Sequence, residues 1–187
     1  MNHTTNDTTT DAAGEASAPP VVQRGLYFDQ MEIGARFLHR PGRTATETDN
    51  VLFSALTMNT QPLHLDAAWA GGSPFGERLV NSMWTLSTMV GASVSQLTLG
   101  TLVAQLGMSD ISFPAPLRHG DTLYTETEIL DARRSASRPG QGVVTMRHIG
   151  RNQDGVVVAT ATRVALMWCE DADPARQAAV PAPAAEE

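Results

Sequence analysis

The chain has 187 residues and a formal charge of −7 from 20 acidic and 13 basic side chains, and every basic one is arginine because no lysine occurs. That length suits one domain with one core, and the acidic balance excludes a polyanion surface such as one for nucleic acid, while arginine can still grip a small anionic ligand. The single cysteine, Cys169, cannot form an intrachain disulfide, and the first 25 residues lack the basic start and apolar core of a secretory signal, which together read as a cytoplasmic protein.

Residues 1–24 are Thr, Asn, Asp and Ala with a Pro19–Pro20 pair, too polar to offset their ordering entropy, and read as a disordered tail. Residues 171–187, Ala, Pro and acid without apolar period, read the same way, which leaves 25–170 as the folded domain. Residues 26–37 suggest a turn and a short strand that lids the core, and residues 43–46 are briefly β-permissive. Thr46 or Thr48 then caps a helix with Glu47 and Asp49 in its first turn, and Val51, Leu52, Ala55 and Leu56 give it one apolar face. Pro62 lacks an amide hydrogen and disfavours helical dihedrals at Gln61, so the helix is expected to end and to present Asn59 and His64 from irregular backbone.

Residues 66–70 allow one or two helical turns, stopped at Gly71-Gly72-Ser73-Pro74. Residues 79–97 carry no charge anywhere. Asn81, Gln96 and the many Ser and Thr residues make this stretch too polar for a membrane span, so it reads as a helix buried inside a soluble protein. Strands follow at 101–112 and 122–130, then a hairpin of 142–149 and 156–168 turning at 152–155. The class is α+β, a long antiparallel sheet curved around one buried helix, without internal repeats.

Among possible reactive groups, His64 has the side chain whose ordinary pKa, about 6.5, suits proton transfer near neutral pH. His119, beside Gly120, reads as an exposed turn residue, and His39 and His148 lack convergent partners in the sequence. No His, Cys and Asp spacing suggests a metal site; Cys169 reads as a buried structural thiol and Trp84 as core.

The ordered series Asn59-Thr60-Gln61-Pro62-Leu63-His64 with Asp66, Pro74-Phe75-Gly76, Asn81-Ser82-Met83, Phe113-Pro114-Ala115-Pro116-Leu117 and Gly120-Asp121-Thr122-Leu123 resembles the MaoC-like acyl-CoA dehydratases and (R)-specific enoyl-CoA hydratases. The resemblance covers residues 26–167 and implies a hot-dog fold. It also implies hydration of an α,β-unsaturated acyl-CoA thioester, or the reverse, at the cleft of a homodimer. Coenzyme A would enter only as part of the substrate, with no other cofactor, no metal, no nucleic acid and no membrane. On this resemblance His64 is the proton carrier, Asn59 positions water or the carbonyl, and Asp66 is a further acidic residue of the site. Asn81, Ser82 and Met83 open the buried helix and would offer backbone donors to the thioester oxygen.

Two positions depart from the family pattern: Asn59 stands where an Asp is expected, and Asn81-Ser82 where a His-Gly pair is. An amide holds water but does not ferry a proton. Three explanations are open: His64 serves alone in a syn addition, Asp66 or Asp49 substitutes for the carboxylate, or the site is catalytically silent. Arg133, Arg134 and Arg138, in an Arg and Ser cluster between strands, read either as a solvated loop or as a grip on coenzyme A phosphates. With 56–59 and Asn152-Gln153 this cluster is similar to the branch acting on mesaconyl-CoA or itaconyl-CoA. The rival functions are a non-catalytic acyl-CoA-binding subunit and a hot-dog thioesterase.

Overall fold

The structure, a computed structural model, describes residues 21–174. The expected tails therefore lie mostly outside the described residues. The ordered chain runs past both ends of 25–170: Arg24 donates to Gln30 Oε1 at 3.3 Å, and buried Asp173 accepts the Tyr27 hydroxyl at 2.9 Å.

A 3-10 turn at Phe28–Gln30 leads into strand β1 (Arg36–Thr44), which absorbs residues 43–44 and is longer than the sequence suggested. Helices α1 (Glu47–Leu56), α2 (Pro62–Leu65) and α3 (Ala67–Gly71) precede the long helix α4 (Ser82–Leu97). Strands β2 (Leu102–Ser112), β3 (Thr122–Arg134), β4 (Gln141–Arg151) and β5 (Val157–Trp168) complete one sheet in the order β1-β3-β4-β5-β2, every neighbouring pair antiparallel. Helix α4 packs on β1, β3, β4 and β5, so the sheet wraps it as expected. Its burial is not complete, however, because Met83, Ser87, Gly91 and Ser95, spaced four apart along one stripe, are exposed. No described helix is long and apolar enough to cross a membrane.

Alternation in β3 turns Leu123, Thr125, Thr127 and Ile129 inward. The inward row is polar in the middle, and so are its neighbours: His39 on β1, His148 on β4, Arg163 on β5 and Ser93 on α4. These groups fall between an apolar cluster around Met31, Leu97, Met146 and Met167 and another around Trp84, Met89, Leu123 and Val158. His39 and His148, which show no common partner in the sequence, meet here through the Thr127 hydroxyl at 2.8 Å on each side, and His39 Nδ1 bonds Gln96 at 2.9 Å. Burial, with the Arg163 charge second, holds the His148 imidazole down to about 3, so this buried ring is neutral.

Helix α1 is correctly capped by Thr46: its Oγ1 accepts the Asp49 amide at 3.1 Å while Asp49 Oδ2 accepts the Thr46 amide at 2.9 Å. Its orientation corrects the expected apolar face. Leu52 is 57% and Leu56 76% exposed, while the two buried residues of the helix are the polar Asn50 and Ser54. The helix presents a hydrogen-bonding face to the interior because what lies opposite is backbone rather than apolar core.

Candidate active site

The chain leaves α1 through Thr57 and through Met58, whose left-handed φ of 56° turns it sharply aside. Pro62 then opens α2 rather than only ending α1, since the first helical position needs no amide hydrogen. His64 is therefore presented from a helical turn and not from irregular backbone. Its Nδ1–H donates to the Leu79 carbonyl at 3.0 Å, which leaves the Nε2 lone pair as the proton acceptor.

His64 lines a cavity of about 360 Å³ together with Ser82 and Thr85 of α4. The remaining lining is apolar: Leu63, Phe75, Leu79, Val80, residues 113–117 and Val158. A small, mostly apolar cavity with a few convergent polar groups suits a short acyl chain.

The start of α4 sorts its own donors. Asn81 Oδ1 accepts the Met83 amide at 2.9 Å, and the Asn81 amide donates to Asn50 Oδ1 at 2.9 Å. Of the three expected backbone donors, Asn81 and Met83 are thus engaged elsewhere. The Ser82 amide alone has no acceptor among the described residues, and it stands at the positive end of a 16-residue helix. Thr85 was not singled out in the sequence, although it lies three residues beyond Ser82, just under one helical turn, and shares its side of α4.

Neither candidate carboxylate joins His64 by a hydrogen bond. Asp66 is exposed and caps α3, its Oδ1 accepting the Trp69 amide at 2.9 Å. Asp49 belongs to the α1 cap, where the Thr46 hydroxyl, and Arg43 after it, hold its carboxyl below the usual range. Asn59 closes the loop instead of lining the cavity: its Oδ1 accepts the Gln61 amide at 3.1 Å and its amide donates to the Ser54 carbonyl at 2.9 Å.

The arginine cluster stands apart within one chain. Arg133 and Arg134 are the last residues of β3, whose 13 residues separate them from the cavity end of the strand by roughly 40 Å. Arg134 pairs with Asp29 and donates to Cys169 Sγ at 3.0 Å, and it is exposed like Arg133 and Arg138.

His119 is half-buried rather than an exposed turn residue. Its Nε2 takes a hydrogen bond from Asn50 Nδ2 at 3.0 Å, and burial, with Arg78 second, lowers its pKa. Asn50 itself was not legible as a site residue; the only signal was a poor helix former in mid-helix.

Comparison with known proteins follows this geometry. A family model described as MaoC like domain matches residues 29–152. The chain belongs to the MaoC-like domain family. It is similar to a mesaconyl-CoA hydratase from Haloarcula marismortui, 29% identical over 133 residues that make up 71% of this chain and 37% of the relative. It is also similar to a 3-hydroxybutyryl-CoA dehydratase from Methylorubrum extorquens, 30% identical over 112 residues, 58% of this chain and 66% of the relative. This MaoC-like chain thus spans little more than a third of the length of the first of these relatives. Among solved structures, a Mycobacterium tuberculosis protein described as having a double hot-dog fold superposes with a TM-score of 0.70 at 25% identity, over 87% of this chain and 53% of that one. The MaoC-like sheet wrapped on α4 is a hot-dog fold.

Proposed function

We propose that the His64 cavity adds water to, or removes it from, the double bond of a short α,β-unsaturated acyl-CoA thioester. The observation that carries this reading is the meeting, in one cavity, of an imidazole tied at Nδ1 to Leu79 and Ser82, the first residue of α4, whose amide has no acceptor among the described residues. In hydration, water attacks the β carbon as His64 Nε2 takes one of its protons. The double-bond electrons move onto the α carbon and the thioester oxygen, where the Ser82 amide stabilises the enolate. The imidazolium then returns the proton to the α carbon, so the product gains one hydroxyl and one hydrogen and His64 ends neutral. His64 is the sole proton carrier in the lining, so one ring serves both transfers.

The lining contains no cation, which favours an uncharged chain such as crotonyl over a dicarboxylic one. The relative named for mesaconyl-CoA supports the dicarboxylic alternative, with the second carboxylate met from outside this lining. Contact between coenzyme phosphates and Arg133 or Arg138 requires a second copy of the chain. A homodimer fits this need, because β2 is an edge strand with Leu106 and Ile111 exposed. Asn59, in place of the family carboxylate, favours one rival, a non-catalytic acyl-CoA-binding subunit.

Purified protein given crotonyl-CoA and mesaconyl-CoA tests these readings. Loss of the conjugated enoyl absorbance without release of thiol is the expected result, faster with crotonyl-CoA. Thiol release would identify a thioesterase, and binding of both thioesters without turnover would identify a binding subunit.

A further inference from the structure

Asn50 is fully buried and reaches four groups on three separate segments, at His64, at Leu79 to Asn81 and at His119. Its Oδ1 accepts the Asn81 amide at 2.9 Å. Its Nδ2 has two hydrogens for three acceptors, the His64 carbonyl at 3.0 Å, the Leu79 carbonyl at 3.2 Å and His119 Nε2 at 3.0 Å, so one hydrogen is shared between two of them. A backbone amide can only donate and a carbonyl can only accept, so these partners fix which end of the side-chain amide is nitrogen. His119 Nε2 must then carry a lone pair, which puts the ring's proton on Nδ1. The Leu79 carbonyl that Asn50 holds is the same one that takes the His64 Nδ1–H, and the Asn81 amide that it anchors precedes the Ser82 amide.

We propose that Asn50 is the positioning residue of the His64 site, holding the imidazole through Leu79, the thioester-facing amide through Asn81, and His119 in its Nδ1–H form. The functional part of this inference rests on the hydratase reading above. Without Asn50, the Leu79 carbonyl and the α4 start lose their shared anchor, and small displacements of reacting groups cost a large share of the rate. Neutral His119 is needed for the contact, and the groups around it are Arg78, Glu47, Glu77 and His64, with burial the largest influence and Arg78 the next, both favouring the neutral ring.

The test combines kinetics with nitrogen NMR of histidine-labelled protein. Asn50→Ala is expected to lower kcat by ~10²-fold with KM for crotonyl-CoA nearly unchanged, and to leave His64 and His119 as mixtures of ring tautomers. Asn50→Asp has the same shape and keeps the acceptor for Asn81 but loses the donors when ionised, so it is expected to lower kcat at least as far. Wild-type turnover in a folded Asn50→Ala protein overturns the proposal. The ring signals of the unaltered protein test it even where a variant does not fold, since His119 with its proton on Nε2 overturns it. They also separate the two claims. If the wild type hydrates no enoyl-CoA, the function fails, while Nδ1–H forms of His64 and His119 that are lost in Asn50→Ala would still establish the positioning.

Discussion

At the scale of single residues, the sequence singled out His64 beside a proline and Ser82 at a helix start, but it placed His64 on irregular backbone where the structure has a proline-led helical turn. What the sequence left hidden is how hydrogen bonds divide those donors. Asn81 and Met83 look equivalent to Ser82 until Asn50, 31 positions away from Asn81 in the chain, takes one amide and the Asn81 side chain the other. Ser82→Pro tests the division, because the first helical position tolerates proline and Asn81 already has the extended ψ of 126° that a following proline prefers. The substitution deletes the amide hydrogen together with the Ser82 hydroxyl, so Ser82→Ala, which removes the hydroxyl alone, is its control. We expect kcat for hydration to fall by ~10²- to 10³-fold in Ser82→Pro with the melting temperature nearly unchanged, and an unchanged kcat would remove Ser82 from the mechanism.

At the scale of elements, the order of helices and strands followed from periodicity and turn residues, and most boundaries agree within a few positions. Helix α1 is the instructive exception. Its period announced a face, but not what the face would meet, and Asn50 and Ser54 turn inward because the interior there offers carbonyls and amides. Because α1 carries Asn50, its cap matters beyond the helix itself. Thr46→Ala is expected to destabilise the protein by about 1 kcal/mol in denaturant unfolding, with kcat changed far less than by Asn50→Ala. A loss of activity out of proportion to the loss of stability would mean that the cap, and not Asn50, holds the site. The arginine cluster shows the opposite limit, since nearness to a motif in sequence says nothing once a strand as long as β3 lies between.

At the scale of the whole molecule, the uncharged helix and the long strands already implied the wrapped sheet, and the polar belt through its middle was invisible because its members come from five separate elements. Its physical consequence is a dependence of stability on pH. His148 is held to about 3 when folded but titrates near 6.5 in an unfolded chain, so between those values the unfolded state binds a proton that the folded state does not. The contribution is complete above about pH 6.5 and is lost as pH falls, by ~1.4 kcal/mol per unit, with His39 shifted in the same direction. Melting temperatures are expected to drop between about pH 7 and pH 5, and less steeply in His148→Gln; an equal slope in the variant would show that acid acts elsewhere. The central claim, that one imidazole in a largely apolar cavity carries both proton transfers, is tested most directly by the turnover of crotonyl-CoA in His64→Ala. The predicted result is a fall in kcat of ~10²- to 10⁴-fold with thioester binding retained, and hydration at the wild-type rate would contradict it.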